Sequence, residues 1–264
     1  MSATLYYFTG TGNTLFIAKT IAKGLTDVSL IGINQLDECK EVITNSDIVG
    51  IIYPIYFLDA PEPVYDFIPK LKTKDNSYLF LYANYGEHLG NGLYNPYQAL
   101  QNKGITVNGA FDVALPDNSI IFPTDPENQA HMLQVGKDII NQHTKLIVNQ
   151  ESTILPKASY TDKIISPMMK LVNHLFLGMD KIKINPEKCT NCNLCTSVCS
   201  SFNMLKGTTK PTVGRHCSMC FSCIHYCPSE AIRFKNMKSK SNYQYRNPDI
   251  TLKEIINSRV PLTD

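Results

Sequence analysis

The sequence has no tryptophan, and none of its apolar runs reaches 18 uninterrupted residues. A membrane-spanning helix needs about 20, so none is expected. The opening residues, MSATLYYF, carry no basic segment and no cleavage signal. They read as a first strand rather than a secretory leader, and the expected location is the cytoplasm. No glycine loop is followed by Gly-Lys-Ser/Thr, which excludes a Walker-type nucleotide site. No DNA-binding or dimerising motif occurs, so no nucleic-acid partner is expected. Cysteine is nearly missing from the first 188 residues, where only Cys39 occurs; the other eight of nine lie between Cys189 and Cys227. Thiols of a chain without a leader stay reduced, so a cluster of this density reads as a metal site rather than disulfides. Cys39 is expected to be a buried structural thiol.

Neither charge sign is scarce overall, but the two are unevenly spread. Residues 1–180 hold 12 Lys/Arg and 18 Asp/Glu, a net −6, whereas residues 181–264 hold 13 and 5, a net +8. A basic module would meet an acidic partner or dock by charge on the acidic first part, and such docking would weaken with salt.

A chain of 264 residues accommodates one large domain and a small one. Apolar runs at 3–8, 28–33, 47–53, 77–83 and about 107–115 alternate with helical patterns at 13–25, 62–71, 93–103 and 126–149. That alternation predicts a doubly wound, five-stranded parallel α/β sheet over 1–155. Ligands of such sheets sit at the carboxyl ends of the strands. Over 156–180 the apolar positions 164, 168, 171, 172, 175 and 179 recur at helical spacing, predicting a connecting helix that packs one domain on the other, with Pro167 in its first turn. Residues 181–238 form the cysteine-rich module, and 239–264 a tail ending in a short helix, TLKEIINSR.

The loop after the first strand reads Thr9-Gly10-Thr11-Gly12-Asn13-Thr14 and opens a helix, so its amides and hydroxyls suit a small anion. The dinucleotide fingerprint fails because Leu15 stands where its third glycine would be. The nearest cation, Lys19, lies more than a turn into the helix. Neutral donors of this kind suit a terminal phosphate monoester.

This loop resembles the phosphate loop of flavodoxins, Ser/Thr-x-Thr-Gly-x-Thr. The resemblance implies FMN, with its ring between the segments YPIYFLDAPEP (53–63) and ANYGEHLGNG (83–92). It assigns ring stacking to Tyr56 and Tyr85, and backbone contacts to Pro54, Ile55, Asn84 and Gly86. Glu87 and His88 stand near the expected ring edge, as proton donors or as a solvated loop.

The cysteines form two runs, Cys189-x2-Cys192-x2-Cys195-x3-Cys199 and Cys217-x2-Cys220-x2-Cys223-x3-Cys227-Pro228. Three thiolates at x2 spacing grip one cubane while the fourth crosses to the other. Cys189, Cys192, Cys195 and Cys227 would hold one 4Fe–4S cluster; Cys217, Cys220, Cys223 and Cys199 would hold the second. Zinc sites use paired rather than tripled Cys-x2 runs. Ser200 replaces the proline that usually follows the fourth cysteine in bacterial ferredoxins. His216 and His225 lie beside ligands, but eight cysteines already complete both clusters.

Together, the TGTGNT half and the two-cluster half resemble the flavodoxin-fused (EFR-type) ferredoxins, whose ending is similar to the tail YRNPDITLKEI. The resemblance implies a flavodoxin-like domain followed by a small α+β bacterial-type ferredoxin domain. It says hardly anything of a reaction partner; the two cofactor types themselves read as an electron carrier between two-electron and one-electron partners, and the basic module suits acidic redox proteins. The alternative is an FMN-dependent reductase of a quinone or nitro compound, fed by its own clusters.

Overall fold

Apolar strands alternating with amphipathic helices build the N-terminal unit of the computed structural model, which describes residues 1–237 and 243–261. In chain order its elements are β1 (Ser2–Tyr7), α1 (Asn13–Ala22), β2 (Asp27–Gly32), β3 (Val42–Thr44), β4 (Ile48–Pro54), α2 (Glu62–Phe67), β5 (Leu71–Thr73), β6 (Tyr78–Tyr85), α3 (Tyr94–Asn102), β7 (Gly109–Ala114) and α4 (Pro126–Val148). Five strands form one sheet of order β2-β1-β4-β6-β7, every neighbouring pair parallel. This is the flavodoxin-like order, with its switch point between β1 and β4.

The central strands β4 and β6 are mostly apolar because helices cover both faces; β4 is buried at every residue. Period-two alternation assigns the faces. Leu5 and Tyr7 pack with Ile17 and Ile21 of α1 and Ile140 and Ile147 of α4, whereas Tyr6 and Phe8 pack with Val64, Phe67 and Leu100 of α2 and α3. The helix expected over 62–71 ends at Phe67 and tightens into a 3-10 turn, Ile68–Lys70, because Pro69 supplies no amide to continue it. The parallel ribbon β3–β5 is additional; three residues are too few for a periodic signal.

The second part begins with α5 (Tyr160–Val172) and one π turn, Asn173–Leu177. The connecting helix is found, but its expected packing is not: Ile164, Met168, Leu171 and Leu175 are all more than half exposed. Pro167 lies inside the helix rather than in its first turn, since Ser159 caps it from Asp162 N. The cysteine module comprises β8 (Ile182–Ile184), α6 (Leu194–Val198), β9 (Met204–Leu205), β10 (Thr212–Val213), α7 (Ser222–His225) and β11 (Ile232–Phe234). β8 pairs with β11 and β9 with β10, both antiparallel. The module's expected end at 238, the first tail residues 239–242 and the last three, 262–264, lie outside the described residues.

The tail returns to the α/β unit. Its helix α8 (Leu252–Asn257) starts in a capping box of Thr251 and Glu254, a device worth about 1 kcal/mol. Ile250 and Ile255 join the core beneath α1 and α4. Cys39 is exposed, not buried: it sits in the polar loop between Leu36 and Val42, clear of both helical layers.

Candidate functional site

The ends of β1, β4, β6 and β7 meet at one edge of the sheet, where a slot enclosing about 340 Å³, its open mouth included, is lined by Thr9, Gly10, Thr11, Asn13, Thr14, Pro54, Ile55, Tyr56, Asn84, Tyr85 and Gly86. These are the residues expected to hold a flavin, brought together from three loops. Gly12 is the remaining member. It takes φ 107° at the N-terminus of α1, a conformation that excludes most side chains, and its N–H donates to Thr9 Oγ1 at 3.2 Å. The first-turn amides of Asn13, Thr14 and Leu15 find no acceptor among the described residues, the donor set a phosphate requires. Among the described residues no lysine or arginine lines the slot; Lys19 is paired with Glu254 at 2.5 Å. Thr14 Oγ1 donates to Asn84 Oδ1 at 2.7 Å, tying the anion loop to the β6 loop.

Five residues of the site carry no signal in the sequence. Pro116, Asp117 and Asn118, after β7, close the slot. A Cβ on Gly86 would meet the Asp117 side chain at 2.5 Å, so only glycine fits beneath it. Burial raises the Asp117 carboxyl above the usual carboxylate range, opposed by the Ser119 N–H. The tail supplies the others. Tyr245 Oη and Asn247 Nδ2 both donate to Asn13 Oδ1, at 2.6 and 3.0 Å, while Asn13 Nδ2 donates to Pro116 O. The Asn13 side chain is therefore a clamp, leaving its backbone N–H for an anion.

The β4 loop carries two consecutive left-handed residues, Phe57 (φ 52°) and Leu58 (φ 62°), strain of a kind found at functional sites. Tyr56 is half-buried with its hydroxyl shut off from solvent, and that hydroxyl finds no hydrogen-bond partner among the described residues. Burial, then the nearby Cys220 and Cys217 thiols, push its pKa up. Tyr85 is half-buried and donates to Asp112 at 3.0 Å, its phenol pushed up to about 12 by burial and by Asp112. Glu87 and His88 are exposed.

The two cysteine runs repeat one backbone form. Asn191, Asn193 and Phe202 have φ near +55°, and so do Met219, Phe221 and Glu230 at the equivalent places in the second run. Left-handed residues on either side of the second cysteine turn each run into a cup. Among the described residues no three His, Cys, Asp or Glu side chains converge on a single ion; the thiols ring two cavities instead. One, of about 310 Å³, is lined by Cys189, Cys192, Cys195 and Cys227, the other, of about 320 Å³, by Cys199, Cys217, Cys220 and Cys223. The crossed sets expected from the spacing thus share cavities. Burial first, and neighbouring thiols second, push Cys195 up to about 11 and Cys217 up to about 12, so thiolates here need a cationic group among them.

Backbone amides donate at matching positions, Asn203 N to Cys199 Sγ at 3.1 Å and Ala231 N to Cys227 Sγ at 3.3 Å. Ser200, in place of the usual proline, donates to Cys220 Sγ at 3.0 Å.

The module meets the slot through neutral groups. Ser222 Oγ donates to Gly10 O at 2.7 Å, and Asn118 Nδ2 to Cys220 O at 3.3 Å. His225, fully buried, accepts at Nδ1 from Tyr245 N and so donates from Nε2 to Asn118 O at 2.8 Å. Burial lowers its pKa to about 4, keeping it neutral. His216 is exposed. The cysteine module's own contact is not one of opposite charge; among the described residues the ion pair that joins segments 1–180 and 181–264, Lys19–Glu254, lies in the tail.

Residues 182–200 match the family model of the 4Fe-4S binding domain. No curated protein matches the chain. Among solved structures, the Streptococcus pneumoniae TIGR4 flavodoxin is 14% identical, covering 57% of this chain and 99% of its own, at TM-score 0.40. Two-electron reduced Megasphaera elsdenii flavodoxin is 20% identical (54% and 98% covered, TM-score 0.34), and an azoreductase from Bacillus anthracis 9% (55% and 99%, 0.39). The sheet order of the first part is flavodoxin-like, and the matched segment of the second part is similar to a 4Fe-4S binding domain.

Proposed function

We propose that the slot holds one FMN and the two cavities one 4Fe–4S cluster each, making the chain a conduit between two-electron and one-electron partners, acidic redox proteins among them. A flavin exchanges electrons in pairs or singly and a cluster one at a time. The observation that carries the reading is the contact of Cys220 with the anion loop: a Cβ on Gly10 would meet Cys220 O at 2.7 Å and Cys220 Cβ at 3.1 Å. The cluster of Cys199, Cys217, Cys220 and Cys223 is then the flavin's neighbour, and Tyr56, lining the slot and lying beside Cys220, stands between them. The cluster of Cys189, Cys192, Cys195 and Cys227 is the outer one. Protein prepared anaerobically is expected to carry about 8 iron atoms and about 1 FMN per chain; stoichiometric zinc, or FAD in its place, would refute this.

The residues divide the binding work. Thr9, Thr11 and the first-turn amides take the phosphate, and Tyr56, Tyr85 and the backbone at 54–55 and 84–86 take the ring. Thr11→Val is expected to weaken FMN by roughly 1–3 kcal/mol while leaving riboflavin affinity unchanged. Thr14→Val should weaken both flavins, because it also strips Asn84 of its partner. Tyr245→Phe, which leaves Asn13 Oδ1 one donor, is expected to weaken FMN by about 0.5–1.5 kcal/mol. Flavin fluorescence titration reads all three; equal loss of FMN and riboflavin in Thr11→Val would make the loop merely structural. The reductase alternative draws on a separate observation, the apolar groove beside the slot.

A further inference from the structure

Helix α5 is built inside out. Three polar residues anchor it to the protein: Ser166 Oγ donates to Phe57 O at 2.8 Å, Lys170 Nζ to Asp59 Oδ2 at 2.9 Å, and Asn173, in the turn that follows, through Nδ2 to Met219 Sδ at 3.2 Å. Ser166, Asp59 and Asn173 are all buried. The apolar residues of α5 face outward, the reverse of a surface helix. The anchors hold α5 against the strained 57–58 loop at one end and the cysteine module at the other.

Between α5 and the 117–122 loop lies a groove of about 1090 Å³, its mouth included, walled by Phe57, Phe122, Met168, Met169, Val172 and Met219. It shares Ile55, Tyr56, Asp117 and Asn118 with the flavin slot, so whatever fills it touches that site. Its polar groups, Asp117, Asn118 and Ser119, are grouped together on the loop it shares with the slot, and among the described residues no lysine or arginine lines it. The walls are otherwise apolar. Methionine and phenylalanine walls suit a flat, uncharged ring system.

We propose that this groove binds a neutral planar acceptor of the naphthoquinone class, a reading that rests on flavin in the adjoining slot. The acceptor takes up two electrons and two protons and leaves as the hydroquinone. The electrons come from an external one-electron donor protein, oxidised twice per turnover, and the protons from solvent at the open mouth.

The test is equilibrium dialysis of 2-methyl-1,4-naphthoquinone against the oxidised, natively purified full chain. Saturable binding at about one site per chain is expected. Met169→Lys should weaken it by about tenfold or more, since it sets a charge on an apolar wall that an uncharged ligand must cover. FMN affinity should stay within about twofold. Phe122→Ala, on the opposite wall, should weaken quinone binding in the same direction and serves if Met169→Lys fails to fold. Absence of saturable binding, or binding undiminished by either substitution, would overturn the proposal. So would a parallel fall in FMN affinity, which would make the groove the seat of the flavin ring itself. Failure of the flavin reading registers separately, as protein that neither contains nor binds FMN, while dialysis still reads the groove.

Discussion

Replacing Cys199 by alanine is expected to remove the cluster beside the flavin slot, although Cys199 belongs to the run that otherwise serves the outer cluster. Its thiol lines the cavity of Cys217, Cys220 and Cys223, and the amide of Asn203 donates to it there. Iron should fall from about 8 to about 4 per chain, with FMN retained. Flavin-to-cluster transfer should disappear, because the remaining cluster is the distant one. Cys227→Ala is the complement. It should cost the same iron, from the cavity of Cys189, Cys192 and Cys195, yet leave that transfer intact. If each run held its own cluster, the two phenotypes would be exchanged. Iron analysis with rapid-mixing spectroscopy of both variants distinguishes the arrangements.

Gly10→Val is expected to have the largest effect of any change in the anion loop, by a different route from Thr11→Val. Even a Cβ would lie 2.7 Å from the Cys220 carbonyl, and that carbonyl also accepts from Asn118. Backbone on both sides cannot yield as a flexible side chain would, and overpacking of this kind costs about 1–3 kcal/mol. The Ser222–Gly10 bond at 2.7 Å would be lost with the fit. The module should part from the slot, so internal transfer should fall at least about tenfold while each half, assayed for iron and for FMN, still loads. Unchanged transfer in Gly10→Val would show that the Cys220 contact is not the route.

The sheet was legible because its signal is local. Runs such as LFLYA and IVGII, apolar on both faces, announce buried parallel strands, and the observed boundaries lie within a residue or two of the expected ones. That residues 9–14 gather at the strand ends and that the crossed cysteine sets ring shared cavities followed from local spacing. Long-range partners were not. The stripe on α5 reveals an apolar face, but nothing in its period says whether that face is covered; the inward anchors Ser166 and Lys170 find their partners 109 and 111 residues away. The Asn13 side chain reads as a phosphate donor, but its Nδ2 is spent on Pro116 O, 103 residues away, and its Oδ1 accepts from Tyr245, 232 residues on. Net charge misled for a related reason: it sums whole segments, whereas the contact is made by a few neutral groups, Ser222, Asn118 and His225.

Those neutral groups make the central claim directly testable. Transfer within one molecule, from reduced flavin to the adjoining cluster, can be followed by rapid mixing across a range of ionic strength. Exposed charges are screened over about 10 Å at 0.1 M salt, so a charge-docked module would transfer more slowly as salt rises. A contact held by Ser222 on Gly10 and Asn118 on Cys220 predicts a rate that stays flat. A rate that falls steadily with ionic strength would contradict it.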